Sequence, residues 1–301
     1  MPKELTHWIL AAQTLEQLPG DSRVRDAIAS HRDIYLAGAV LPDTLLYLHD
    51  GPHAAEAHWL AHCFHNTEGN SFAPLISAVR DESGHLSAPL LACLLGVISH
   101  IEADITFHPF VYAGSGTADI SLHYRLETAL DTFFLRQGVV PPVRLMKDLV
   151  TPSSREVLAT TCSLLFDHGD KLPRQAVDRA ISLHCRIQAM YDSTFWKLAI
   201  MMLSSLPGSR YSCRRHLFYP LCISQNESEI LNGSGDWRHP VTGEPQLTTI
   251  EELAAEAVRK TVALFEAVEA RGSLADALEG IQGENLLTGL HGIGESALHP
   301  G

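Results

Sequence analysis

Residues 99–131 contain ligand-type side chains at helical spacing, and this pattern constrains the fold more than any other feature of the chain. Six of these side chains fall in two runs of four-residue steps: His100, Asp104 and His108, then His123, Glu127 and Asp131. Because residues four apart lie on one face of an α-helix, each run can aim its ligands at one point. Helical proteins hold metal ions in this way. The spacing therefore predicts two helices that carry a metal site.

The first run continues a strongly apolar segment, residues 87–107, which is rich in leucine, valine and isoleucine. A helix that is apolar on all sides is buried, so we expect His100 and Asp104 inside the protein. A single His–Asp pair can be a satisfied core hydrogen bond, but the repeat at His123 and Glu127 favours a metal site. Histidine and carboxylate ligands without thiolates suit zinc, with manganese or iron as competing occupants.

Proline and glycine predict where these two helices end. Pro109 disfavours a helical backbone at the residue before it, so we expect the ring of His108 at a helix end or in the following loop. The Gly-Ser-Gly sequence at 114–116 predicts a reversal. Asp119 is then a suitable cap for a second helix over residues 120–137.

Upstream residues add further ligand candidates. His7 lies beside the apolar stripe of a predicted first helix, residues 4–18, where a histidine is either a packing residue or a ligand. Asp43 lies in an apolar run, where an unpaired carboxylate is costly. It either caps a short helix that runs through Leu48 or binds a cation. His65 opens a turn-rich stretch, and we expect it to point inward from a loop.

Two other histidine patterns have competing explanations. His58 and His62 form an i, i+4 pair, on a segment that is either metal-binding or a wet surface helix. His49 and Asp50 form an HD dipeptide, which is typical of the all-helical HD-domain hydrolases. That alternative leaves the two helical ligand runs unexplained.

The composition indicates a globular, acidic chain. At 301 residues and 46% hydrophobic, it can bury one large core or two modest ones. A formal net charge of -13 argues against generic attraction to nucleic acid or to an anionic membrane. The amino terminus lacks a signal-peptide pattern and no segment reaches about 18 uninterrupted apolar residues. We therefore predict a cytoplasmic protein without a transmembrane segment.

The cysteines predict no disulfide framework. They are scattered without CxxC spacing, at Cys63, Cys93, Cys162, Cys185, Cys213 and Cys222. We expect reduced core thiols.

In order and spacing, the candidate ligands resemble the zinc-dependent phospholipase C family, which is related to the single-strand nucleases of the S1/P1 type. The segments that carry the resemblance are the helical His7, the GAVLPD segment ending in Asp43, HNTEGNSFAPL from His65, the HxxxD of His100 and Asp104, His108, and the HxxxE of His123 and Glu127. The resemblance covers about residues 1–137.

The resemblance implies an all-α fold, a multi-helix bundle around a three-metal cluster at the foot of a cleft. By family analogy, Asp43, His65, His100 and Asp104 hold one zinc ion, His108, His123 and Glu127 hold a second, and Asp104 bridges to a third that His7 shares. In secreted family members a tryptophan that begins the mature chain completes the third site. Here Trp8 follows His7, so the third site is absent, weaker, or completed by another group such as Glu4 or a water. The resemblance implies two or three zinc ions.

The implied activity is hydrolysis of a phosphodiester by a metal-activated water, which Asp43 or a carboxylate near it orients or deprotonates. The implied substrate is a phosphate ester such as a phospholipid, and no stable nucleic acid partner is expected. Glu102 and Asp131 are candidates to hold a ligand histidine by its other ring nitrogen. The alternatives are an HD-type phosphohydrolase and a metal-binding or scaffold protein without turnover.

The remainder, residues 138–301, is predicted to be helical and to belong to one domain that spans residues 1–301. Helices are expected at 155–165, over 174–206 as one or two helices, and at 249–270. The core residues expected there are Met190, Phe195, Trp196, Met201 and Met202. A long polar loop is expected at about 225–247. Within it, Trp237, Arg238 and His239 either line a cleft or belong to an ordinary surface loop. The tail after Gly283 is expected to be loosely held.

Overall fold

The fold is all-α, as the sequence predicts. The computed structural model describes residues 3–66, 69–81, 86–166, 172–206, 208–209, 211–220 and 236–299. About 68% of the protein is helical. Among the described residues, the strands are the two-residue β1 (Trp237–Arg238) and β2 (Pro245–Gln246), which pair antiparallel. That the whole chain forms one domain stays a prediction.

The α-helices follow one another along the chain with these bounds: α1 (Glu4–Gln17), α2 (Arg23–Ser30), α3 (Arg32–Gly38), α4 (Ala54–His65), α5 (Ala73–Asp81), α6 (Ala88–Ser115), α7 (Ile120–Arg136), α8 (Pro152–Phe166), α9 (Arg174–Asp192), α10 (Thr194–Ser204), α11 (Ile250–Arg271) and α12 (Leu274–Leu278). Short 3₁₀ helices occupy Leu41–Tyr47, Met146–Asp148, Arg214–Leu217 and Glu295–Ala297. The predicted Asp119 cap of α7 is present, since its carboxylate accepts a hydrogen bond from the Leu122 N–H.

Helix α6 is the central element, and α1, α3, α7, α8 and α11 pack around it. Of the described residues, it forms the one helix that is long and apolar enough to cross a membrane, with a mean hydropathy of 1.6 over its most apolar window. In this structure 94% of that window is buried inside the protein. The apolar run thus does what the sequence predicts, because it places His100 and Asp104 in the interior.

Helices α3 and α6 approach each other through glycine. A Cβ atom on Gly96 would lie 2.1 Å from the carbonyl oxygen of Tyr35, and one on Gly38 would lie 2.3 Å from the carbonyl oxygen of Cys93. Only glycine permits so close a backbone approach. The crossing brings the end of α3 beside His100, one turn after Gly96 on α6.

The expectation that Pro109 would end α6 near His108 is wrong. The helix continues through Pro109 to Ser115, and both His108 and Pro109 are buried. Proline lacks the N–H that would bond the Ile105 carbonyl. That carbonyl faces Gly289, where an added Cβ would lie 2.9 Å from it and 2.9 Å from the Cγ of Pro109. The carboxyl-terminal segment therefore packs against the turn of α6 in which this backbone hydrogen bond is missing.

His65 is also placed differently from the prediction. It is the last residue of α4 and is buried, whereas a loop position was expected. Leu60, Ala61 and Phe64 of the same helix are buried with it. Because this apolar face packs on the core, the helix holds its regular backbone to His65, and the turn-rich sequence begins only afterwards.

The second half of the chain has the predicted helices but not the predicted core. Residues 174–206 form the two helices α9 and α10. On α10, Phe195 and Met202 are each 70% exposed, Met201 is 55% exposed and Trp196 is 41% exposed. Met190 of α9 is half-buried. The expectation that these residues form core is therefore wrong, because α10 packs mainly on α9 and on the 3₁₀ helix Arg214–Leu217 and leaves its outer side open.

The carboxyl-terminal tail is packed, contrary to the expectation that it is loosely held. Asn285, Leu286 and Thr288 are fully buried. The carboxamide oxygen of Asn285 accepts hydrogen bonds from the N–H groups of Leu287 and Thr288. These bonds fold the tail into a compact turn against α6.

The remaining expectations concern the cysteines and the long loop. Five of the cysteines are free thiols: Cys63, Cys93, Cys162, Cys185 and Cys213. Of these, only Cys93 and Cys162 are buried, and Cys222 lies outside the described residues.

The first part of the long loop, residues 225–235, also lies outside the described residues. In the described part, the Trp237 ring packs edge-on against Phe110, and its Nε1 donates to the Thr248 carbonyl. Arg238 donates to the Gly243 carbonyl, and His239 Nδ1 accepts from two N–H groups of its own turn.

Candidate metal centre

Five side chains from four elements converge at one point: His7 from α1, Asp43 from the 3₁₀ helix Leu41–Tyr47, His65 from α4, and His100 and Asp104 from α6. The Nε2 atom of His100 lies 3.2 Å from Oδ2 of Asp104. The Nε2 atom of His65 lies 3.2 Å from Oδ1 of Asp43 and 3.4 Å from Nε2 of His100. Two overlapping groups have ligand atoms that all lie within 4.8 Å of one another: His7, His100 and Asp104, and Asp43, His65 and His100. We call these residues the five-residue cluster.

Backbone carbonyls fix how the rings point. Nδ1 of His100 lies 3.0 Å from the Ala39 carbonyl oxygen, at the end of α3. Nδ1 of His65 lies 2.8 Å from the Ala61 carbonyl oxygen, one turn back along α4. Because a carbonyl only accepts hydrogen bonds, each Nδ1 carries a proton. Each Nε2 then faces the cluster, 3.2 Å from a carboxylate oxygen.

Several buried atoms of the cluster make no well-directed hydrogen bond among the described residues, although histidine nitrogens lie 3.2–3.5 Å from the carboxylate oxygens. The atoms concerned are both ring nitrogens of His7, both carboxylate oxygens of Asp104 and Oδ1 of Asp43. A buried carboxylate without a partner is strongly unfavourable, and a cation that it ligates removes that cost. These atoms and the donor set of histidine nitrogen and carboxylate oxygen both fit zinc.

The electrostatics favour the metal-binding protonation states at Asp104 and His7, but not at His100. Burial would lower the pKa of His100, but Asp104 and Asp43 raise it, so a metal ion would displace a proton from this ring. Burial would raise the pKa of Asp104, but His100 and His108 hold the pKa of this carboxyl well below its usual range. Burial, with a smaller effect of His100, lowers the pKa of the His7 imidazole to about 4. Asp104 is therefore ionised and His7 is neutral near pH 7, which are the states in which these groups bind metals.

His123 and Glu127 form a separate pair on α7. The Nε2 atom of His123 lies 2.8 Å from Oε1 of Glu127, and Nδ1 of His123 lies 3.3 Å from the Ser115 hydroxyl. Burial would raise the pKa of Glu127, but His123 helps to hold that pKa at about 2. The pair is thus a close His–carboxylate contact in this geometry.

His108 lies between this pair and the five-residue cluster. Its Nδ1 is 2.6 Å from the Leu286 carbonyl oxygen and 3.9 Å from Oδ2 of Asp104. The rings of His108 and His123 both contact Tyr112, at centroid distances of 6.0 and 4.9 Å. Among the described residues, His108 does not join His123 and Glu127 in a third group with all ligand atoms within 4.8 Å. The predicted ligands are therefore neighbours, but in this geometry His108, His123 and Glu127 do not form a coordination site for a second ion.

The cluster is closed on one side and accessible on the other. The side chains of His7, His100 and Asp104 are 0% exposed. Those of Asp43 and His123 are 12% and 11% exposed. Asp43 is therefore the residue of the five-residue cluster through which solvent reaches it most readily, together with His65, whose side chain is 7% exposed.

Asp131 and Glu102 do not hold ligand rings. Backbone carbonyls hold the rings of His65, His100 and His108. The Asp131 carboxylate instead accepts hydrogen bonds from the first N–H groups of α1, at Leu5 and Thr6. The Oε2 atom of Glu102 is buried without a hydrogen-bond partner among the described residues, and burial raises the pKa of this carboxyl to about 7. The role predicted for these two acids is thus wrong.

The sequence reasoning missed His184, which supports the backbone beside Asp43. Its Nδ1 lies 3.0 Å from the hydroxyl of Thr44, and its ring stacks on Tyr47 with the centroids 4.1 Å apart. Its Nε2 lies 3.5 Å from Oε1 of Glu4. Glu4 therefore faces His184 and accepts a hydrogen bond from the Tyr47 hydroxyl. The signal that could have identified His184 was its place on the buried stripe of α9.

The other histidine patterns lie on the surface. His58 and His62 are exposed on α4, as the surface-helix alternative predicts. His49 and Asp50 are also exposed, and Asp50 pairs with Arg179 at 2.6 Å. The HD dipeptide therefore takes no part in the cluster.

Comparison with known proteins agrees with the site. No curated protein and no solved structure matches the chain. A model of the family described as zinc dependent phospholipase C matches residues 6–191, which is more than half of the chain. The match confirms the resemblance and extends it beyond residue 137, through the helix that carries His184. The chain therefore belongs to the zinc-dependent phospholipase C family.

Proposed function

We propose that the protein is a zinc-dependent phosphoric ester hydrolase that cleaves a phosphodiester, with a phospholipid as the substrate class. The observation that carries the proposal is the convergence of His7, Asp43, His65, His100 and Asp104, with buried polar atoms that make no well-directed hydrogen bond among the described residues. Membership of the family supports the choice of zinc and of a phosphate ester. The exposed HD dipeptide disfavours an HD-type phosphohydrolase.

The ligand assignment is part of the proposal. Asp43, His65, His100 and Asp104 hold one ion, His108, His123 and Glu127 hold a second, and Asp104 with His7 contributes to a third. His108 lies 3.9 Å from Asp104, and its ring and that of His123 both contact Tyr112, which supports a second ion beside the first. The proposed content is two or three zinc ions.

The chain's own residues then have distinct tasks. Bound zinc supplies positive charge that polarises the phosphoryl oxygens and lowers the pKa of a water. Asp43, the more exposed of the two carboxylates in the cluster, orients this water and accepts its proton. His100 and Asp104 form the closed floor. The packed apolar wall of α6 behind them excludes bulk water and strengthens these interactions.

The partners and location follow from the same reasoning. The acidic net charge of -13 disfavours long nucleic acid as the substrate. We propose a cytoplasmic location, which the free thiols of the described cysteines support.

The test is hydrolysis by the full chain loaded with zinc, on a panel of bis(p-nitrophenyl) phosphate, a soluble short-chain phosphatidylcholine and a single-stranded oligonucleotide. Asp43→Asn removes the proton acceptor and should lower kcat about a hundredfold or more. Asp50→Asn is the matched control, because this exposed acid lies close in sequence and outside the cluster. Full zinc content without hydrolysis of any substrate would contradict the proposal and favour the non-catalytic metal-binding protein.

A further inference from the structure

Helix α10 exposes a large apolar surface. Its exposed side chains, with those just after it, are Phe195, Trp196, Leu198, Met201, Met202, Leu203 and Leu206. Phe195 and Met202 are each 70% exposed, and Leu206 is 58% exposed. A helix that is apolar on all sides normally lies inside a protein. An apolar patch of this kind marks a binding surface.

The exposed residues share one side of the helix. Phe195, Leu198 and Met202 recur at steps of three and four and point outward, whereas Lys197 and Ile200 are buried on the opposite side. The outward side is therefore a continuous apolar stripe. We call it the α10 face.

A basic cleft lies beneath one edge of α10. Met201, which is 55% exposed, lines it together with residues on the inward side of the helix. The cleft has a volume of about 320 Å³, and Arg125, Lys197, Arg215 and His216 supply its charged or basic lining. Of the described residues that line it, none is acidic. Lys197 pairs with Asp192 at 3.3 Å, while Arg125 and Arg215 are exposed. In a chain of net charge -13, this local excess of cations selects an anionic ligand.

The cleft is separate from the metal centre. Arg125, Thr128 and Thr132 of α7 line the cleft. His123 and Glu127 lie on the opposite face of the same helix. Arg125 is two residues from each of them, and Thr132 is five residues from Glu127, and helical residues at these separations point to opposite sides. A ligand in the cleft therefore does not touch the proposed metal ligands.

We propose that the α10 face and the basic cleft together bind an anionic lipid surface. Phe195, Leu198 and Met202 enter the apolar boundary of the bilayer, Trp196 lies at headgroup level, and the cleft arginines contact anionic headgroups. Aliphatic and aromatic side chains flanked by cations are the composition of a helix that lies in a membrane interface. The net negative charge does not oppose this, because exposed charges beyond about 8 Å are screened at physiological salt.

The test is co-sedimentation of the full chain with vesicles of phosphatidylcholine alone and of phosphatidylcholine with phosphatidylserine. Lipid phosphorus is measured in each pellet, so that any hydrolysis is separated from binding. We expect binding to the mixed vesicles, at least about tenfold weaker binding to phosphatidylcholine alone, and loss of binding at high salt. Equal binding to both vesicles, or none, would overturn the proposal.

Matched variants assign the binding to the two surfaces. Phe195→Ser/Met202→Ser should weaken partitioning about tenfold or more, whereas Val140→Ser/Leu247→Ser, which removes exposed apolar residues elsewhere, should not. Arg125→Glu/Arg215→Glu should abolish the preference for phosphatidylserine. The control Arg32→Glu/Arg80→Glu makes the same charge change at exposed sites outside the cleft. Equal effects of test and control variants would overturn the proposal.

Two further readouts separate this surface from its alternatives. Light scattering shows whether a second copy of the chain covers the α10 face. The proposal would be overturned if the parent protein were a dimer without vesicle binding and Phe195→Ser/Met202→Ser converted it to a monomer. The same variant should hydrolyse a soluble phosphodiester at the parent rate. Vesicle binding without hydrolysis of any diester would contradict the proposed function while supporting the lipid-binding surface.

Discussion

The carboxylate of Asp131 accepts a hydrogen bond of 2.8 Å from the backbone N–H of Thr6, and a second bond of 2.6 Å from the Thr6 hydroxyl. It also accepts from the Leu5 N–H and from the Tyr219 hydroxyl. The first N–H groups of a helix have no partner within the helix. Asp131 supplies that partner, and so holds the helix end that places His7 one residue further on.

Asp131→Asn should therefore act on His7 from a distance. The asparagine amide keeps one acceptor oxygen, but its NH2 group replaces the other oxygen and then faces groups that also donate. This mismatch should cost about 1–3 kcal/mol of stability. We expect a lower Tm and weaker binding of the zinc ion that His7 shares. Thermal unfolding and zinc titration measure the two effects. Asp148→Asn, at an exposed acid, should change neither. Unchanged zinc affinity in Asp131→Asn would contradict the positioning role.

Gly96→Ala tests the crossing of α3 and α6. The new methyl group would lie 2.1 Å from the Tyr35 carbonyl oxygen, so α3 must move away. The move weakens the 3.0 Å contact between the Ala39 carbonyl and His100 Nδ1. We expect a loss of about 1–3 kcal/mol by denaturant unfolding, together with weaker zinc binding. The control is Gly20→Ala, where an added Cβ meets nothing within 4 Å. A stability equal to that control would contradict the close packing.

Gly289→Ala tests whether the tail supports the site. Gly289 and Gly280 have similar positive φ angles, +65° and +76°, so alanine is strained at both. Only at Gly289 would the Cβ also meet Ile105 and Pro109, at 2.9 Å each. We expect Gly289→Ala to be less stable than Gly280→Ala by about 1–3 kcal/mol. It should also bind zinc more weakly, because Leu286 holds the His108 ring. Equal unfolding free energies and zinc affinities for the two variants would contradict this role of the tail.

The sequence was sufficient where one local pattern determined the outcome. The apolar composition of α6 dictated its burial, and the four-residue spacing dictated that His100 and Asp104 share a face. The cap at Asp119 is a contact between near neighbours in the chain. Each of these features depends on physics within a few turns of helix, so a single sequence displays it.

Features that depend on distant segments could not be predicted in this way. Pro109 weakens α6 locally, yet the helix continues past it. The segment around Gly289, 180 residues away in the chain, packs against the helix at this point. The role of Asp131 depends on where α1 begins relative to α7. Helix α10 is apolar enough for a core position, and only the arrangement of its neighbours reveals that Phe195 and Met202 are exposed.

The metal content of the protein tests the zinc site directly, measured per chain by mass spectrometry after purification without chelator. We expect two or three zinc ions in the parent protein and loss of most of them in His100→Ala/His123→Ala. The control His58→Ala/His62→Ala removes two exposed histidines of α4 and should keep the full content. No stoichiometric metal in the parent, or equal content in all three proteins, would contradict the central claim that these buried residues form a zinc site.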